Sequence, residues 1–106
     1  MARPLGVATT VILAAIRRRV RYGLDIAATT GLLQGTVYTT LRRLERRGLV
    51  EGRWEDPVVA EAERRPRRRY YELTPAGETE LERSVERLDG LVGDLGLGPA
   101  ATEGDV

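Results

Sequence analysis

The sequence predicts a mainly α-helical domain with a two-stranded β wing and a C-terminal helix that pairs with a second copy of itself. Three observations carry this. Residues 35–50, GTVYTTLRRLERRGLV, split into two faces when wound at about 100° per residue. Two short alternating runs, residues 49–55 and 69–74, flank a stretch ending in Glu-Arg-Arg-Pro-Arg-Arg. Beyond Thr74-Pro75, the residues Leu81, Val85, Leu88, Val92 and Leu95 recur at alternating spacings of four and three, a heptad seam.

Composition narrows the chemistry. At 106 residues the chain is one domain. It has no cysteine and no histidine, so disulfides, thiolate chemistry and the usual general base and zinc ligand are absent. No phosphate-binding glycine loop and no metal-ligand cluster is visible, and neither a cofactor nor a catalytic residue is expected. The net charge of +1 hides an asymmetry. Residues 1–74 carry fifteen arginines against eight acids, while residues 75–106 carry two against eight. A basic body with an acidic C-terminal part implies an anionic partner for the body.

The first helix is expected over residues 5–20, with Pro4 near its start, where proline is tolerated. Leu5, Ala8, Ile12, Ala15 and Ile16 make one side, and Val7, Val11 and Ala14 extend round to another. Apolar residues on two sides imply two burial partners, one within the chain and one outside it. The apolar run of residues 5–16 is no export signal, because its charges, Arg17, Arg18, Arg19 and Arg21, follow it rather than precede it. It is also shorter than the roughly 20 residues that span a bilayer. The expected location is the cytoplasm, with no membrane partner.

Tyr22-Gly23 breaks the chain. A short helix follows over residues 24–30, with Ile26 and Ala27 inward and Gly31 closing it. Leu32-Leu33-Gln34 connects it tightly to the next helix, which gives a helix-turn-helix arrangement. In that second helix Val37, Leu41 and Leu44 form the buried stripe. Gly35, Thr39, Arg42 and Arg46 lie opposite, flanked by Thr36 and Arg43. Hydroxyls at the N-terminus with arginines behind them suit the major groove of DNA, where short polar groups reach base edges and arginines meet guanine or phosphate. Gly48 ends the helix.

In the two strand-like runs, alternation places Val50 and Trp54 on one face and Tyr71 and Leu73 on one face, covering the helices. Residues 56–68 read as a basic loop, opened by Asp56-Pro57. Arg64, Arg65, Arg67 and Arg68 are its phosphate candidates. Thr74 is an N-cap and Pro75 occupies the first helical position, with Glu78 and Glu80 early in the helix. The domain plan is residues 1–74 for DNA binding, 75–96 for dimerisation and 97–106 as a flexible tail.

The motifs Tyr22-Gly23-Leu24-Asp25-Ile26, Gly35-Thr36-Val37-Tyr38, Leu41-Arg42-Arg43-Leu44-Glu45 and Gly48-Leu49-Val50, closed by Arg69-Tyr70-Tyr71-Glu72-Leu73-Thr74-Pro75-Ala76-Gly77, resemble the PadR family of bacterial transcriptional regulators. The resemblance implies a winged helix-turn-helix. It also implies a homodimer joined through the first and last helices, and repression of a nearby operon; two copies related by a two-fold axis would meet successive major-groove faces of double-stranded DNA, so the expected site is an inverted repeat. It adds a small-molecule effector, unidentified, at the dimer interface. It assigns Tyr38 to backbone phosphate. Base reading then falls to Thr36, Thr39, Arg42 and Gln34, and phosphate anchoring to Tyr38, Arg43, Arg46 and the loop arginines. The dimer joint comprises Leu81, Val85, Leu88, Val92 and Leu95, with Val7 and Val11. Thr39 stands where many relatives have proline, and Leu33-Gln34 replaces a polar cap residue. The competing reading is a winged-helix module for protein–protein contact that does not bind DNA.

Overall fold

The computed structural model describes residues 4–97. Its elements are α1 (Val7–Arg17), α2 (Gly23–Thr30), α3 (Gln34–Arg46), β1 (Val50–Trp54), α4 (Pro57–Ala62), β2 (Arg69–Leu73) and α5 (Pro75–Asp94). The fold is mainly helical with a two-stranded antiparallel wing and a C-terminal helix. Most of the tail segment, residues 98–106, lies outside the described residues.

One apolar cluster joins the helices. Ile12, Leu13 and Ile16 of α1 meet Ile26 of α2, Val37, Leu41 and Leu44 of α3, and Leu49, Val50 and Tyr71 from the wing. The predicted stripe of α3 is buried residue for residue. Each aliphatic side chain withdrawn from water in this way contributes about 1.5–3 kcal/mol. Helix α1 is shorter at both ends than its apolar pattern suggests. Arg19, with φ of 71°, turns the chain after it. Its two-sided character holds: Ile12 and Ile16 face inward, while Val7 and Val11 stay exposed.

Gly31 caps α2 in the left-handed conformation, at φ 77°. β1 and β2 pair from Val50↔Leu73 to Trp54↔Arg69. A bridge between Tyr22 and Tyr70, with Tyr71 N–H donating to Arg21 O at 2.9 Å, ties the link before α2 to the wing. The expected inward pairing of Val50 with Trp54 fails at one end. Val50 is buried, but Trp54 is 57% exposed, because it lies at the far end of the ribbon where no helix covers it.

Two further differences concern helix. Residues 56–68 are not a simple loop: Asp56 Oδ1 accepts from Val58 N–H at 2.9 Å and Pro57 takes the first position, so α4 forms there. In α5, Thr74 Oγ1 accepts from Gly77 N–H at 3.0 Å and donates to Gly48 O at 2.6 Å, fixing the helix start to the end of α3. Gly77 is required there, since a Cβ would lie 2.0 Å from Leu49 O. Leu81 is fully buried in the core of its own chain, and Ser84 Oγ hydrogen-bonds Thr10 Oγ1 at 2.5 Å. Leu81 is therefore not part of a dimer seam. The first half of α5 packs on α1, while beyond it Val85, Leu91 and Leu95 are exposed and Leu88 and Val92 half-buried.

Candidate nucleic-acid interface

Helix α3 is held by its stripe so that its other side faces outward. Gln34, Gly35, Thr36, Tyr38, Thr39, Arg42, Arg43 and Arg46 are all exposed. Thr40, on the flank, is buried. Leu33 is the N-cap residue, extended and without a side-chain cap, so the first-turn amides of α3 have no side-chain acceptor there. None of Arg42, Arg43 and Arg46 takes part in an ion pair among the described residues. This face therefore presents hydroxyls, an amide side chain and free guanidinium groups without an opposing carboxylate. Glu45, at the edge of the helix, is turned away and held by Arg69, with Nη2 to Oε2 at 2.7 Å.

Tyr38 is seated by α2. Its ring lies against Gly23, where a Cβ would come 2.4 Å from Tyr38 Cε1. That close approach explains the glycine.

The wing arginines differ from one another. Arg65 forms a bidentate pair with Glu55, Nη1 to Oε1 at 2.6 Å and Nη2 to Oε2 at 2.8 Å, and its Nε donates to Glu63 at 2.9 Å. Glu55 also accepts from Arg68 N–H at 3.2 Å and from Tyr70 O–H at 3.3 Å. The hydrogen bond from Arg65 is the main reason the Glu55 carboxyl pKa is lowered from 4.5 to about 2, and the same bond to Glu55 raises the Arg65 guanidinium above its ordinary value. Arg65 is thus a fastener of the wing, and the sequence expectation that it offers its charge to phosphate is corrected. Arg67 lies over the Trp54 ring at 5.3 Å and Arg68 over the Tyr22 ring at 4.3 Å. Arg64 is exposed just after α4 with φ of 56°.

Sequence reasoning missed Glu55 and Trp54. An acid directly before Asp56-Pro57, facing a tract of five arginines, was the available signal for the first. Between α2, α3 and the wing lies a cavity of about 410 Å³ bordered by Tyr22, Tyr38, Trp54 and Tyr71 and by the wing arginines. Burial is the first cause of the raised Tyr71 phenol. Among the described residues no cluster of carboxylates or other ligands fits a metal ion, and no helix is long and apolar enough to cross a membrane.

A helix-turn-helix with a cationic outward face and a ribbon beside it defines a winged-helix regulator of the DNA-binding kind. The chain belongs to the PadR-like family of transcriptional regulators, whose model matches residues 12–83. Among solved structures it is similar to a PadR family regulator from hypervirulent Clostridium difficile, at 27% identity and TM-score 0.69, covering 88% of this chain and 100% of that one. A PadR-like regulator of Bacillus cereus is similar at 25% identity and TM-score 0.66, covering 89% and 95%. BpsR of Bordetella bronchiseptica, whose DNA binding is regulated by 6-hydroxynicotinic acid, is similar at 30% identity and TM-score 0.70, covering 92% and 70%. A comparison with curated protein sequences gives no match.

Proposed function

We propose that this chain is a cytoplasmic, homodimeric, sequence-specific repressor that binds an inverted-repeat operator through α3 and answers to a small-molecule effector. The observation that supports it most is the outward face of α3: eight residues, from Gln34 to Arg46, exposed together with no acid among them. Gln34, Thr36, Thr39 and Arg42 read base edges in the major groove, with Gly35 allowing close approach. Tyr38, Arg43 and Arg46 anchor phosphates, joined by Arg64, Arg67 and Arg68 of the wing. Arg65 takes no part.

Two copies joined by the uncovered part of α5, through Val85, Leu88, Val92 and Leu95, with Leu91 added and with Val7 and Val11 of α1, would present two recognition helices. Such helices meet successive major-groove faces about 34–36 Å apart. Effector response is carried over from BpsR, whose DNA binding is regulated by 6-hydroxynicotinic acid, and repression from the resemblance to PadR regulators. The test is fluorescence anisotropy of labelled promoter duplexes across a salt series. Affinity should fall with a log–log slope of about −0.9 per phosphate neutralised, and an inverted repeat should bind more tightly than its half-site. Salt-insensitive or absent binding to every duplex would remove DNA from the function.

A further inference from the structure

A second cavity, of about 420 Å³, lies between the start of α1 and one flank of α3. Gly6 and Thr9 line it on one side, and Thr40, Arg43 and Arg47 on the other. The first turn of α1 has neither a side-chain cap nor an acid, because Gly6 stands at the cap position. Its leading amides therefore have no side-chain acceptor, and the positive end of the helix dipole is uncompensated. Thr40 makes this more than a bare helix terminus. It is 6% exposed, and its hydroxyl enters no hydrogen bond among the described residues. Three other helical threonines, Thr10, Thr30 and Thr79, return their hydroxyls to the carbonyl four residues back. Thr40 does not, and it borders the cavity. A buried hydroxyl without a partner carries a desolvation cost that a ligand oxygen would offset. Arg43 and Arg47 enter no ion pair among the described residues, and no acid lines the cavity.

We propose that this cavity seats a phosphate group, with oxygens on the Thr40 hydroxyl and on the Arg43 and Arg47 guanidiniums and its charge at the start of α1. A carboxylate holds its oxygens in one plane. A phosphate group holds them in a tetrahedron, which suits donors arriving from two helices. No aromatic ring lines the cavity, so nothing there recognises a flat organic body. Thr40, Arg43 and Arg47 lie roughly 110° round α3 from Arg42 and Arg46, at 100° per residue, so the seat is separate from the base-reading side. It takes in Arg47, which the DNA-binding reading leaves without a role, and shares Arg43 with that reading. The phosphate belongs either to a free compound or to the DNA backbone; the chemistry of the seat is the same for both.

Calorimetric titration of the full chain with inorganic phosphate, against acetate at equal ionic strength, tests the seat. Saturable binding of phosphate is expected, about tenfold weaker in Thr40→Val and in Arg47→Gln. It should be unchanged in Arg53→Gln, which alters an exposed arginine of the wing outside the cavity. Thr40→Val keeps the side-chain shape and removes only the hydroxyl, so its melting temperature without phosphate should not fall. Lost binding then is not lost folding. The source of the phosphate is read on a labelled duplex. A backbone phosphate requires both variants to weaken every sequence alike, and Arg47→Gln to lower the log–log salt slope by about 0.9. A free compound requires duplex affinity to stay the same while phosphate binding is lost. Phosphate bound as tightly by either variant as by the parent, or acetate bound as tightly as phosphate, would overturn the seat. So would a parent that binds no phosphate and variants that bind duplex as the parent does. A parent that binds no duplex under any condition would overturn the DNA reading, and the phosphate titration alone would then decide the seat.

Discussion

Helices α3 and α5 look alike in sequence, each with an apolar stripe and a charged remainder, yet they divide their residues differently. α3 divides across its width: Val37, Leu41 and Leu44 are buried from one end to the other, and the opposite side is open throughout. α5 divides along its length. Leu81 at its start is fully buried in its own domain, whereas Leu95 near its end is 69% exposed. Hydrophobic periodicity reports a stripe, but not which partner covers each part of it. The partner depends on where the helix starts, and in α5 Gly77 and Thr74 pin that start against Leu49 and Gly48.

The largest effect should separate the two halves of α5. Leu81→Ala removes a fully buried side chain and should cost about 2–5 kcal/mol of domain stability, whatever the protein concentration. A Leu91→Ser, Leu95→Ser variant should leave the melting of the domain at high dilution unchanged while shifting the sedimenting species toward monomer. Thermal melts and sedimentation on both variants check this. If the two variants behave alike, α5 acts as one seam and its division along the length is wrong.

Next in size is the outward face of α3. Arg42→Ala should cost about 1–3 kcal/mol on a preferred site and relax selectivity at one base pair, whereas Arg46→Ala should weaken all duplexes nearly equally. Neither should change stability, since neither side chain is in an ion pair. Selection of preferred sequences from a random pool, followed by titration of each variant, gives the comparison. A somewhat smaller effect is expected of Gly23→Ala. Its methyl would push on the Tyr38 ring, an overpacking that typically costs about 1–3 kcal/mol, shared between stability and DNA affinity. Replacing Tyr38 by Ala in the same background should restore stability but not affinity.

Much of this was legible from residues alone. The α3 stripe, the Gly31 and Gly48 stops, the Thr74-Pro75 start and the two wing strands follow from local chemistry, and local chemistry is what a sequence displays. Trp54 departs from its alternation because alternation gives the side of a strand but not the length of the body beneath it. The heptad spacing gives Leu81 to a partner, because spacing alone carries no trace of the Thr10–Ser84 contact that holds the start of α5 on α1. Arg65 reads as free charge in the sequence because Glu55, ten residues earlier, reaches it only once α4 folds the segment back. In each case the missing information is a contact between segments, and contacts of that kind leave no period in the sequence.

The smallest effect concerns the wing, and it decides whether the wing arginines resemble those of α3 after all. Glu55 gathers both terminal nitrogens of Arg65, the Arg68 amide and the Tyr70 hydroxyl, and its folded carboxyl is lowered from 4.5 to about 2. A group lowered on folding contributes stability that is fully present above its unfolded value and is lost as pH falls through its folded value. The window is therefore pH 4.5 down to about 2. Denaturant midpoints measured across it should fall more steeply for the parent chain than for Glu55→Gln, in which the other acids titrate as before and cancel in the difference. Near neutral pH the Gln variant should be the less stable of the two, and its Arg65, released from the pair, should add to non-specific DNA binding at low salt. Parallel pH profiles for the two proteins would mean that Glu55 does not hold Arg65. The wing would then present its arginines as freely as α3 presents Arg42 and Arg46.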